Sequence, residues 1–333
     1  MKKTILSLSL IMAAFATATA QGIMGGHVTG NIQLDGQMSS KDTVIGAENV
    51  PEKFLMNARA DILYTNGDFS AGLRFEAYQS PLLGFDKQYK GQGIPNYFVS
   101  YRGERLSVTA GNFYEQFGNG MILRAYEDRY LGLDNSLFGF NVSYRPIEGI
   151  TLKGVIGKQR VFWDYGQGMV RGLDGEFNLN SIFKAFSDSK LHVTIGGGFV
   201  SKYEDDATIA SSIPGYKLNL PLNVGAGAVR MDLGYGNFSL QAEYAHKGQD
   251  PTVMNDYIYR KGNALMINAN YSQKGFSANL QAKRVDNMGF KSERTRDKEM
   301  LYINYIPAIT KQHTYAFLSM YPYATQVTGE MGL

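Results

Sequence analysis

The stretch with most chemistry in it runs from Gly111 to Ser136. It reads Gly-Asn-Phe-Tyr-Glu-Gln-Phe-Gly-Asn-Gly-Met-Ile-Leu-Arg-Ala-Tyr-Glu-Asp-Arg-Tyr-Leu-Gly-Leu-Asp-Asn-Ser. Arg124, Glu127, Asp128 and Arg129 can form ion pairs there, and Tyr114, Phe117, Tyr126 and Tyr130 can pack together. A second charged set, Arg59, Asp61, Arg74 and Glu76, falls on alternate positions of two neighbouring segments. Neither set holds a nucleophile beside a base. What guanidiniums and carboxylates in this pattern can do is set an electric field, as rings of charged side chains do in pores. The alternative is mechanical: ion pairs that hold a loop against a wall and keep strands in register.

Other chemistry is scarce. The four histidines, His27, His192, His246 and His313, sit in neither a Gly-x-Ser-x-Gly nor a His-Glu-x-x-His context, so no enzyme is expected. His192 shares a strand face with Thr194 and reads as an inward-facing polar residue. Glu204, Asp205 and Asp206 could hold calcium in a loop, but such a run is more often simply solvated. Gly196-Gly197-Gly198 lies within a strand pattern, which marks a bend or a close backbone approach, not a phosphate cradle. With no Cys there is no disulfide and no thiolate metal site. The net charge of +3 gives no reason to expect nucleic acid as a partner. No cofactor is expected.

The elements that would position these residues are strands. From Gly262 to Val285 a hairpin is legible: Phe276, Ala278, Leu280 and Ala282 alternate with Ser277, Asn279, Gln281 and Lys283, with Gly275 in the turn. Alternation of this kind predicts about fifteen strands. They fall near 26–36, 54–64, 68–78, 95–103, 105–113, 136–145, 149–158, 172–180, 190–200, 222–235, 237–246, 262–272, 275–285, 298–306 and 313–321. The alternation changes phase near Ala228 and Val229, which predicts a bulge. Each strand is about ten residues long, enough to cross a bilayer when tilted.

The connections alternate between long and short, with 37–53, 79–94, 114–135, 159–171, 201–221, 247–261 and 286–297 long. A soluble sandwich has no reason to sort its loops in that way. The expected fold is therefore all-β: an antiparallel transmembrane β-barrel of about 15–16 strands, with long extracellular loops and short periplasmic turns. Aliphatic and aromatic residues would face lipid. The charged positions Arg59, Asp61, Arg74, Glu76, Arg102, Lys153, Asp174, Glu176, Arg230, Asp232, Glu243 and Lys283 would face the lumen, because charge at the lipid midplane costs roughly 2–4 kcal/mol for Arg or Lys. Lys2 and Lys3, the apolar run Ile5–Phe15 and Ala18-Thr19-Ala20 predict an export leader over residues 1–20, leaving 21–333 as one barrel domain. The odd strand count, and an ending without an aromatic-terminated strand, predict a barrel that continues past Leu333.

Three segments, Gly111–Phe117, Arg124–Arg129 and Leu131–Asn135, together with Met320-Tyr321-Pro322-Tyr323-Ala324-Thr325, resemble a family of uncharacterised Bacteroidetes outer-membrane barrel proteins, a domain of unknown function. The resemblance implies an outer-membrane barrel and carries over no activity, substrate or binding residue. Two functions fit. One is porin-like passage of a small polar solute through a lumen partly obstructed by 111–136. The other is a non-transporting accessory barrel that presents its long loops to a protein partner, in a surface or secretion assembly. In both, bilayer and outer-membrane lipids surround the wall. Tyr126, Arg124, Glu127, Asp128 and Arg129, with Arg59, Asp61, Arg74 and Glu76, are the candidate constriction residues.

Overall fold

The computed structural model describes residues 25–306, apart from 45, 47–51, 130, 188, 212 and 297–299, together with 330–332. The predicted leader, the predicted strand 313–321 and Tyr130 lie outside the described residues. The long strands are β1 (His27–Met38), β2 (Phe54–Asn66), β3 (Phe69–Ser80), β4 (Gly91–Arg102) and β5 (Leu106–Phe113). Four two-residue strands follow: β6 (Gln116–Phe117), β7 (Leu123–Arg124), β8 (Glu127–Asp128) and β9 (Leu133–Asp134). Then come β10 (Leu137–Tyr144), β11 (Ile150–Val161), β12 (Asp164–Asn178), β13 (Leu191–Tyr203), β14 (Asn223–Tyr235), β15 (Phe238–Lys247), β16 (Gly262–Gln273), β17 (Phe276–Asp286) and β18 (Glu330–Gly332). One 14-stranded sheet runs β1-β2-β3-β4-β5-β10-β11-β12-β13-β14-β15-β16-β17-β18, and each strand is antiparallel to its neighbours in that order. β6–β7 and β8–β9 are separate ladders inside the 114–136 segment.

The pleat sorts the side chains. Leu34, Val99, Phe140, Leu173, Phe199, Val229 and Leu280 stand exposed on one face of the sheet. On the other face Arg59, Arg74, Asp174, Glu243 and Lys283 are buried. A soluble protein buries its greasy face and wets its charged one. The reverse arrangement is that of a transmembrane barrel wall. The sheet is also strongly curled. In sheet order β3 and β11 are four places apart, roughly 19 Å along a flat sheet at strand spacing. Yet Arg160 Nη2 on β11 lies 2.6 Å from Glu76 Oε2 on β3.

The interior is filled on one side. Inward-facing Val155, Val170, Val200, Ala228, Ala245, Ala264 and Val285 of the wall pack on Phe117, Met121, Ile122, Met288, Phe290 and Ile303, which belong to segments folded inside. This filling explains two of three departures from the sequence reading. β14 has no bulge at Ala228–Val229, since its registers with β13 and β15 run unbroken. The hydrophobic phase changes because the inner positions Val224, Ala226 and Ala228 meet the apolar filling, whereas Arg230 and Asp232 beyond them do not. The described part of the predicted strand 298–306, residues 300–306, is likewise no strand. It is coil with one bridge, Lys291 to Tyr302. Its apolar residues are spaced by burial within the lumen, where Ile303 N donates to Phe290 O at 2.7 Å and Asn304 Nδ2 donates to Met121 O at 3.0 Å.

The third departure is at 159–171, which is no long loop. β11 and β12 extend through it and turn at Phe162 and Trp163. The turn is held by packing, because the Phe162 ring lies 4.9 Å from Tyr89 and Trp163 Nε1 donates to Tyr89 O at 2.9 Å.

Within β13 the glycine run makes room for an ion pair. A Cβ on Gly196 would stand 2.6 Å from the Arg230 guanidinium, and one on Gly198 would stand 2.7 Å from Asp174 Oδ1. Arg230 Nη1 meets that same oxygen at 2.7 Å. Gly198→Val is expected to push the pair off the wall and destabilise the refolded barrel by about 1–3 kcal/mol. The urea midpoint in detergent reads this, and an unchanged midpoint would contradict it.

Candidate solute pocket beside the inward-folded segment

The 114–136 segment leaves the wall and re-enters it at adjacent points, since Phe113 at the end of β5 pairs with Leu137 at the start of β10. The chain between them has nowhere to go but inward or outward, and it goes inward. Its turn uses Gly118 at φ +53° and Gly120 at φ +90°, values that favour glycine. A Cβ on Gly118 would also meet the Glu243 carboxylate at 2.7 Å. Asn119 N donates to Glu243 Oε2 at 2.8 Å, a contact with β15 that ties the tip of the segment to the far wall. Arg124 N donates to Ile303 O at 2.7 Å and Tyr305 N to Gly120 O at 2.9 Å, joining the two interior segments. The apolar flank of 114–136 faces β11 to β15, and its charged flank faces β2, β3 and the end of β11 that carries Arg160.

On that charged flank Glu127 is the hub. Arg59 Nη1 donates to its carboxylate at short range, Arg74 Nη1 lies at 3.2 Å and Arg129 Nε at 3.5 Å. Asp61 bridges the same two wall arginines, at 2.8 Å from Arg59 Nε and 2.9 Å from Arg74 Nε. Asp134 accepts from Arg74 Nη1 at 3.2 Å and from Arg160 Nη1 at 2.6 Å. Arg160 also holds Glu76 at 2.6 Å, with both side chains almost wholly buried. Tyr114 Oη lies 3.4 Å from Arg74 Nη1. Charges of alternating sign therefore run without a break from β2 to β11, through the inserted segment.

The sequence-predicted residues divide. Arg59, Asp61, Arg74, Glu76 and Glu127 come together in this network. Arg129 joins it from a half-exposed position. Asp128 accepts from Leu131 N at 3.1 Å. Arg124 lies elsewhere, with its guanidinium between the rings of Tyr126 and Tyr305 at 4.4 and 4.2 Å, so Arg124 and Tyr126 serve the packing of the segment. Sequence reasoning missed Asp134 and Arg160. Asp134 lies in a stretch with no pattern. Arg160 turns inward because the β11–β12 register shifts between Lys158 and Arg160, which sends both Gln159 and Arg160 to the inside; strict alternation cannot signal that.

A cavity of about 430 Å³ opens beside the network. Asp35 of β1, Arg59, Glu76, Glu127, Asp134 and Arg160 line its charged side. Tyr78, Phe85 and Tyr89 line another side and form a ring cluster, with Tyr89 centred 5.5 Å from Tyr78 and 6.2 Å from Phe85. Burial pushes the Tyr89 hydroxyl up to about 12, so it stays neutral through the physiological range.

The run 204–206 does not act as one site. Glu204 pairs with Arg294 at 2.9 Å, Asp205 accepts from Tyr203 Oη at 2.8 Å, and Asp206 meets Lys217 at 2.6 Å. Among the described residues no group of three or more His, Cys, Asp or Glu is placed to hold a metal.

The model of a family of unknown function, DUF6029, matches residues 1–333. The chain belongs to that family. No curated protein matches it. Solved structures similar to this DUF6029 chain include an outer-membrane protein and a porin of pseudomonads. OccK1 (OpdK) of Pseudomonas aeruginosa is 11% identical with a TM-score of 0.37, covering 78% of this chain and 81% of that one. OccK9 (OpdG) of the same organism is 14% identical with a TM-score of 0.36, covering 84% and 86%. A BenF-like porin from Pseudomonas fluorescens Pf-5 is 10% identical with a TM-score of 0.30, covering 80% and 94%. Likeness at that level identifies neither a solute nor a mechanism.

Proposed function

We propose that this DUF6029 protein is an outer-membrane barrel of a Gram-negative cell of the Bacteroidetes type, exported by its N-terminal leader, and that it admits a small polar solute through a partly obstructed lumen. The observation that carries the reading is the charged pocket on the inner face, beside the flank of the inserted segment that is not packed with apolar side chains. A solute would reach it between the 81–90 loop and the 127–134 stretch, past Glu127 and its arginines. Charged side chains that line a passage discriminate by field and by fit. The protein acts without catalysis on this reading.

Single-channel recording on the refolded protein tests it. Small, well-resolved conductance steps are expected, well below those of an open barrel of this strand number. A membrane that stays closed at all voltages would overturn passage.

One observation favours a second reading. The lumen side along β11 to β17 holds a fully buried apolar core, including Phe117, Met121, Phe290 and Ile303, of the kind that makes a permanent closure. A closed barrel would present its 204–222 and 248–261 connections to a protein partner. Affinity capture from native membranes would then recover that partner in stoichiometric amount, and its absence would count against this reading.

A further inference from the structure

We propose that the interior pocket accepts small organic cations, amines above all, in preference to carboxylates. This deepens the reading of the pocket as a solute site and rests on it.

The first observation is the charge of the wall. Asp35, Glu76, Glu127, Asp128 and Asp134 contribute five carboxylates to it. Among the described lining residues three guanidiniums, Arg59, Arg129 and Arg160, stand against them, an excess of two carboxylates in that set. Arg74 and Asp61, just behind the wall, cancel each other and leave that excess unchanged.

The second observation is where the guanidinium donors point. Arg160 gives Nε to Phe162 O at 2.9 Å, Nη1 to Asp134 and Nη2 to Glu76. Arg59 gives its donors to Asp61 and Glu127. At these two deep arginines an entering carboxylate would have to break a charge-assisted bond to gain one, because the wall's own carboxylates already occupy them; Arg129, half-exposed at the rim and 3.5 Å from Glu127, is the wall guanidinium outside that rule. Asp35 is in the opposite position. It accepts from Gln33 Nε2 at 2.9 Å, and among the described residues no cationic group lies within ion-pair distance of it. It is a carboxylate on the pocket wall with acceptor capacity left over.

The third observation is the aromatic side. Tyr78, Phe85 and Tyr89 present ring surface to the same cavity that the carboxylates line. Ring faces attract cations and tolerate the apolar body of an amine, but offer nothing to an anion. A cavity of about 430 Å³ has room for a solute with one ring or a short chain and a charged head.

The chain carries its own reporter. Trp163 is the single tryptophan. Its ring lies 5.9 Å from that of Tyr78 and its Nε1 donates to the backbone of Tyr89, so it sits directly behind the aromatic wall.

The experiment is a fluorescence titration of Trp163 in the refolded, detergent-embedded full chain with three probes of similar size: benzylamine, benzyl alcohol and benzoate. Benzylamine is expected to bind at least about tenfold more tightly than benzoate, with benzyl alcohol between them. Asp35→Asn, an exposed change that leaves the deep network intact, is expected to weaken benzylamine about threefold and leave benzyl alcohol unchanged. Benzoate binding as tightly as benzylamine would overturn the inference, as would a Trp163 signal that responds to none of the three. Binding of benzylamine by a barrel that passes no current would leave the pocket's preference standing and remove the passage reading. Conductance without charge preference at Trp163 would do the opposite.

Discussion

Arg160→Ala is expected to destabilise the folded barrel by about 3–5 kcal/mol, because it strips the nearest cation from both Glu76 and Asp134 and leaves the two carboxylates inside the protein. What remains to them is Arg74, at the longer distances of 3.7 Å from Glu76 and 3.2 Å from Asp134, and its charge is shared with Asp61 and Glu127. Arg160 and Glu76 are exposed by only 2% and 3% of their side-chain area, so water cannot replace the lost partner. The loss should be visible as a lower denaturant midpoint and as earlier loss of the heat-modifiable folded band. Part of it should return when the stranded charges are removed as well, in Arg160→Met combined with Glu76→Gln and Asp134→Asn. That rescue separates a buried-charge effect from simple loss of packing. If Arg160→Ala and the triple variant unfold together at the wild-type midpoint, the network is not what joins β3 to β11.

The second large effect concerns the inserted segment itself. Phe117 is 1% exposed, and its ring fills the space beside Gly172, where a Cβ would approach to 2.8 Å. Phe117→Ala removes that ring from a closed apolar contact and should loosen the segment by about 3–5 kcal/mol. The wall's hydrogen-bonded ladder does not depend on Phe117, so the strands should persist. Conductance should rise and fluctuate, and protease sensitivity should appear within 114–136. A uniform loss of strand structure with no change within the segment would show that the segment and the wall are one cooperative unit.

How much of this is readable from the chain alone follows from what faces what. Where one strand face meets hydrocarbon and the other meets charge, alternation is complete, and β2, β3, β15 and β17 are legible almost residue by residue. Where the inner face meets the apolar filling, as at Ala228, Ala264 and Val285, both faces turn apolar and the pattern misleads. The same filling gives 298–306 the alternation of a strand, although its described part pairs with no strand of the sheet. The wall charges Arg59, Asp61, Arg74 and Glu76 are legible because they obey the pleat. Arg160 is not, because a bulge inverts its face. Glu127 is visible as a candidate, but its partners lie 68 and 53 positions away along the chain, and no local pattern can name them. The pocket itself is a product of curvature, which brings β1, β3 and β11 around a common space.

Residues 114–136 obstruct the lumen only if they lie inside the curled sheet and reach across to β15. The native chain contains no Cys, so a pair of introduced thiols reports cleanly. Asn119→Cys combined with Glu243→Cys, placed where Asn119 N and Glu243 Oε2 stand 2.8 Å apart, should be joined almost completely by a short bifunctional thiol reagent in the membrane-embedded protein, giving a faster-migrating monomer. If the two thiols instead remain separate, and the one at position 119 is labelled by a bulky impermeant reagent as readily as a surface loop is, the segment lies outside and the lumen is not obstructed by it.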